Sequence, residues 1–295
     1  MATSTFTMVP DAVTSDATWR TFAAAVGTAL QAVGFIATSD TGQVTWSAQT
    51  RAGATLGVNY EVRKFTDAAQ GTNPFFIRID YYVTSSVPLI AITVGTGTNG
   101  AGSINANASP VIVIFDRQST SSFTGLVRYD TSSIQIAFGQ SISVTDTACG
   151  SFCSISRTVD TTGAYNATGV NILVACSPVA AAMKAQFVSA AGNNPAAATQ
   201  APVTNFPALT ASATNTVFGV NWGLFPAFPN TGPLGNPDLS ALFFSSKVLA
   251  SGGLQQITVQ FYGTGHSYIG LTNLSATQTV SGSTADTIGI YMRWE

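Results

Sequence analysis

The chain has 295 residues, of which 45% are hydrophobic and only 8% charged, with a formal net charge of −2. Soluble domains usually carry roughly 25% charged residues, so the polar surface here must come from Ser, Thr, Asn, Gln and Gly. The eleven Lys and Arg residues are scattered, with only Arg63 and Lys64 adjacent, which excludes a phosphate-neutralising patch for nucleic acid. No apolar run approaches the ~20 residues of a membrane span, and "MATSTFTMVPDAV" lacks the basic and apolar regions of a signal peptide, so synthesis in the cytoplasm is expected.

The first element in chain order is a helix in "SDATWRTFAAAVGTALQAVGF". Ser15 is placed to cap it, and Asp16 stands in its first turn. Trp19, Phe22, Val26, Leu30 and Val33 recur at steps of three and four, and Gly34 follows as terminator. Such a stripe must pack on a sheet. "SDTG" then reads as a turn, "QVTWSAQ" as a short strand and "YEVRKF" as another.

"NPFFIRIDYYVTSSVPLIAITVG" predicts two strands joined around Ser85, Ser86 and Pro88. Phe75, Ile77, Ile79, Tyr81 and Val83 share one face of the first strand. Phe76, Arg78, Asp80 and Tyr82 share the other. The following "TVGTGTNGAGSIN" holds Gly95, Gly97 and Gly100 at the spacing G-x-G-x-x-G. A dinucleotide site needs those glycines to lead into a helix, whereas here loop residues and then an apolar strand follow. The run is therefore expected to be a loop whose glycines take positive φ. "PVIVIFDR", apolar throughout 111–115, predicts a central strand buried on both faces, and "GLVRYD" with "SIQIAFG" predicts a hairpin.

In the second half, "SPVAAAMKAQFVSAAG" suggests a central helix over 177–191. Ser177 would cap it, Pro178 would stand at its first position, and Val179, Met183 and Phe187 recur at steps of four. Residues 193–216 are an Ala/Pro/Thr-rich arm or linker, and "ALFFSSKVLA", "LQQITVQFYG" and "DTIGIYMRWE" are further strands. The expected fold is mainly β, β-sandwich- or jelly-roll-like, with an N-terminal and a central helix packed on the sheets. Its expected units are a module over 1–140 and a second over 141–295.

Candidate chemistry is sparse. "TACGSFCSI" could form a three-residue hairpin loop that sets Cys149 opposite Cys153, a possible disulfide, with reduced thiols as the alternative. The only histidine, His266 in "GTGHSYIG", lacks both the G-x-S-x-G spacing of a nucleophile elbow and a second histidine, and reads as a turn residue. Glu61 and Asp80 could meet across strands as a glycosidase pair, with nothing in the sequence to favour that over solvation. No catalytic, cofactor-binding or metal-ligating set emerges, and the three sequons at Asn107, Asn166 and Asn273 read as accidents of composition. Trp222, Phe225 and Phe228, among prolines and glycines, suit either a buried anchor or a sugar-stacking platform. With Trp19 and Phe206 they are the expected interface residues.

"DATWRTFAAAVGTALQAVGFIATSDTGQVTW", "YEVRKFTDAAQGTNPFFIRIDYYV" and "PLIAITVGTGTNGAGSI" together resemble virion-associated proteins of tailed bacteriophages, over roughly residues 10–105. The resemblance implies a structural, non-enzymatic subunit of the tail, baseplate, neck or head surface. Its implied partners are other copies of itself and other virion proteins, with host surface glycan as the ligand of an alternative recognition role. It carries no catalytic residue.

Overall fold

The computed structural model describes residues 1–139, 150–159, 165–176, 180–189, 201–202, 225–226, 241–245, 256–261, 264–278 and 286–294. Among them the chain is mainly β, with antiparallel sheets and one α-helix.

A four-stranded sheet runs in the order β2 (Tyr60–Lys64), β3 (Phe76–Thr84), β4 (Val87–Gly95), β7 (Ile112–Asp116), and β5 (Gly97–Thr98) pairs with β6 (Ile104–Ala106) between the last two. A seven-stranded sheet runs β1 (Ala2–Met8), β8 (Phe123–Asp130), β9 (Ser133–Gly139), β10 (Gly150–Val159), β11 (Tyr165–Cys176), β12 (Ala180–Ser189), β13 (Ala201–Pro202). It draws strands from both sides of residue 140, where the sequence suggests a boundary. A further sheet has the order β14 (Phe225–Pro226), β15 (Ala241–Ser245), β18 (Asp286–Arg293), β17 (Thr264–Gln278), β16 (Gln256–Phe261).

The helix α1 (Asp16–Ala32) forms where its cap and spacing predict. The Thr18 amide donates to Ser15 Oγ at 3.1 Å and the Ser15 amide donates to Thr18 Oγ1 at 3.2 Å, a capping box with threonine in the third position. Gly34 takes φ +85° just beyond the last turn. Trp19, Phe22, Val26 and Leu30 are buried against the inner rows of both large sheets, including Ile77, Ile79, Ile92, Val127, Ile136 and Ile155. Each such side chain contributes about 1.5–3 kcal/mol by leaving water.

The β3–β4 hairpin closes on Ser85 and Ser86, both at positive φ (49° and 71°), as a two-residue hairpin turn requires. Phe75, Ile77, Ile79 and Tyr81 are buried on its inner face, as the alternation predicts.

Several expectations are corrected. Residues 180–189 form strand β12, not a helix. The spacing of Val179, Met183 and Phe187 is a multiple of two as well as about one helical turn, so it fits a strand equally, and pairing with β11 decides. The strand expected at "QVTWSAQ" is a 3₁₀ turn at Trp46–Ala48. Trp46 leaves the extended path to stand edge-on to Tyr81 at 4.9 Å between ring centroids. β7 lies at the end of the four-stranded sheet instead of its centre. A register shift opposite Ile90 and Ala91 leaves Ile114 without a partner in the ladder, and successive residues Ile114 and Phe115 are both buried. His266 lies within strand β17, paired with Val259, and not in a turn.

Candidate functional site

The glycine run is a strand-to-strand connection. Gly100 and Gly102 take positive φ, whereas Gly95 and Gly97 lie in β4 and β5 without it. Gly95 is needed for a different reason: a Cβ there would stand 2.6 Å from the Ala106 carbonyl oxygen. No helix follows, so no amide cluster faces a pyrophosphate.

The loop is held down by a polar clamp that sequence reasoning missed. Arg78 lies 4.0 Å over the Tyr60 ring, pairs with Asp80 at 2.8 Å, and donates to the carbonyls of Gly102 and Gly57, each at 2.9 Å. Tyr60 Oη reaches the Thr41 and Ala101 carbonyls at 3.0 and 2.9 Å, and the Gly102 amide donates to Asp40 at 3.1 Å. Burial raises the Asp40 carboxyl, but hydrogen bonds from Thr38, Thr98 and Gly102 outweigh it and hold the group below its ordinary range. The donors and acceptors of this cluster are spent on each other. The cluster fixes the loop.

Glu61 and Asp80 do not form a catalytic pair. Glu61 faces Ile79 across the ladder and Tyr60 faces Asp80, so the two carboxylates stand on opposite faces of the sheet. On the inner face Arg63 donates twice to Glu61 Oε2, at 2.9 and 2.6 Å, directly beneath α1. Gly27 is the helix residue that permits this, because a Cβ there would lie 2.5 Å from Glu61 Oε1. Burial drives the neighbouring Tyr81 hydroxyl well above its usual range, and the Glu61 charge adds to it. Tyr81 Oη, Trp19 Nε1 and both amide atoms of Asn59 are buried without a hydrogen-bond partner among the described residues.

A second buried cation ties the sheets together. Arg157 on β10 pairs with Asp67 and donates to the Asn73 carbonyl at 2.9 Å and to Gln70 Oε1 at 3.0 Å, with the Phe65 and Phe75 rings 5.7 and 5.3 Å from its guanidinium.

Of the expected interface residues, Trp19 and Phe225 are among the described ones. Trp19 is fully buried in the core, tilted against Phe22 at 5.8 Å. Phe225 lies in β14, paired with Phe243. Phe206, Trp222 and Phe228 lie outside the described residues, as does Cys149. Cys153 is buried within β10, and 150–152 are strand where the sequence suggests a hairpin loop. Of the 193–216 arm, only β13 is described, paired with Lys184 and Ala185 of β12. Asn107 has φ 47° and donates to Thr96 Oγ1 at 2.9 Å. Asn166 and Asn273 lie in β11 and β17.

The feature best placed for contact with another molecule is β1. It ends the seven-stranded sheet and pairs with β8 in unbroken register from Ala2↔Tyr129 to Met8↔Phe123. Thr3, Thr5 and Thr7 are exposed on one face, while Ala2, Ser4 and Phe6 are half-buried on the other, with Phe6 edge-on to Phe138 at 6.4 Å. Among the described residues, no backbone group of 2–8 bonds to anything except β8. The connection to α1 is pinned beyond Met8. Gln118 donates to Asp11 at 2.9 Å and accepts from the Ala12 amide at 3.0 Å, and the Ser119 amide donates to the Pro10 carbonyl at 2.9 Å. The period-two pattern of "ATSTFTM" was the available signal for this strand.

Neither a protein-family model nor a curated protein sequence matches the chain. Among the described residues no cluster of His, Cys, Asp or Glu could hold a metal ion, and no helix is long and apolar enough to cross a membrane.

Proposed function

We propose that the protein is a non-enzymatic structural subunit of a tailed-phage particle, at the tail, baseplate, neck or head surface, that works through contacts with copies of itself and with other virion proteins. The observation that carries the contact-forming part is the charge-free edge at Ala2–Met8, uncovered among the described residues, on a chain with only 8% charged residues. A weakly charged surface is poorly suited to standing alone in water and well suited to being covered by neighbours. The virion part rests on the resemblance of residues 10–105. A sandwich- or jelly-roll-like layering of the sheets belongs to the same reading.

The chemistry of the described polar clusters supports a scaffold. Arg63, Arg78 and Arg157 each donate to a carboxylate or to backbone carbonyls that hold loops, helix and sheets in place. Cryo-electron microscopy of the intact particle, with mass spectrometry of its components, tests the proposal. Repeated copies of the chain at symmetry-related positions are expected, and a particle that lacks it would overturn the reading.

A further inference from the structure

We propose that two copies of this chain pair edge to edge through β1, antiparallel and about a two-fold axis at Thr5, joining their seven-stranded sheets. This deepens the contact-forming reading above and rests on it.

Among the described residues, the edge carries none of the devices that normally blunt a free strand. "ATSTFTM" has no Lys, no Pro and no Gly, and its register with β8 contains no bulge. Seven residues of extended backbone, about 23 Å long, present alternate N–H and C=O groups outward.

A second copy is the occupant that the side chains fit. A two-fold axis through Thr5 sets Thr5 against Thr5 and Thr3 against Thr7 on the exposed face, so every pair there is Thr–Thr, a favourable cross-strand combination. On the other face the same register sets Ser4 against Phe6 and Ala2 against Met8. It thereby covers the half-buried Phe6 ring and continues the inner row beyond the sheet's end. Charge is the strictest condition on a self-pair, because any ionised residue near the axis meets its own copy. Residues 2–8 contain none. A one-residue slip would put the inner row of one copy on the threonine face of the other, so the pattern specifies register as well as partner.

The test uses the full chain and two variants, Thr5→Lys and Thr5→Glu, at an exposed position where neither charge is buried. Sedimentation velocity over a concentration series reads the mass, and thermal melting confirms that each variant folds like the parent. The parent is expected to pass from 30.4 kDa to twice that mass as concentration rises. Each variant alone should associate at least tenfold more weakly, because like charges meet across the axis. An equimolar mixture of the two should recover the dimer. A parent chain that stays monomeric overturns the β1 pairing. Association that Thr5→Lys leaves unchanged also overturns it but keeps the contact-forming reading, since the copies then meet elsewhere. Variants that are monomeric alone and remain so when mixed overturn the axis at Thr5.

Discussion

The two sheet edges at β2 and β1 meet the same physical problem in opposite ways. β2 is sealed by residues 37–44. The Thr38 amide bonds to the Val62 carbonyl at 2.6 Å, the Val44 amide bonds to the Tyr60 carbonyl at 2.9 Å, and Gln43 Oε1 accepts from the Val62 amide at 2.8 Å. A side chain there replaces a missing strand. β1 has no such cover among the described residues and displays threonines where β2 has a loop strapped over it. Met8 at the end of β1 and Phe65 just past β2 belong to the same hydrophobic core, so the difference is local. One edge is closed by the chain itself, and the other has no cover among the described residues.

The largest expected effect comes from breaking the closed side. Gly102→Val forces a β-branched residue into φ +83° and drives its Cβ into the Tyr60 ring. It should cost about 2–5 kcal/mol in denaturant unfolding and leave the self-association of the molecules that still fold unchanged. Next, Gln43→Ala removes the acceptor for the Val62 amide and two donors to the Thr38 and Asp40 carbonyls. A loss of about 1–3 kcal/mol is expected, together with faster hydrogen exchange at Val62, because the β2 edge is then open.

At the hinge between β1 and α1, burial raises the Asp11 carboxyl. Hydrogen bonds from Thr14, Val13 and Gln118 outweigh it and bring the group to about 2, below its ordinary 3.8. A depressed carboxylate contributes stability above its unfolded value, and that contribution is lost as pH falls through the folded one. Melting should therefore drop between about pH 4 and pH 2 by on the order of 1 kcal/mol after solvent screening, and Asp11→Asn should flatten that part of the curve. A smaller effect of opposite sign is expected beside β2. Asn59→Leu removes two unpartnered buried amide atoms and should leave melting unchanged or raise it by up to about 1 kcal/mol.

Local patterns made α1 and the β3–β4 hairpin legible, because Ser15, Gly34 and the Ser85–Ser86 pair mark their ends within a few residues of the periodic stretches they bound. The central segment misled because a four-residue spacing belongs to both helix and strand, and only pairing with β11 separates them. Parity decided Glu61 against Asp80: whether two strand residues share a face depends on register, which neither strand encodes alone. The clamp on the glycine loop was invisible for the same reason. Arg78, Tyr60, Asp40 and Gly102 are distant in sequence and meet only once the hairpin and the loop are in place. β1 was missed although "ATSTFTM" alternates, because its place at a sheet edge depends on a partner more than a hundred residues away.

Amide hydrogen exchange across a concentration series compares the two edges in one experiment. If β1 is the surface on which copies meet, protection at residues 2–8 rises with concentration while protection at residues 60–64 stays constant. Equal protection of residues 2–8 at every concentration, in samples whose mass has doubled, would contradict the account.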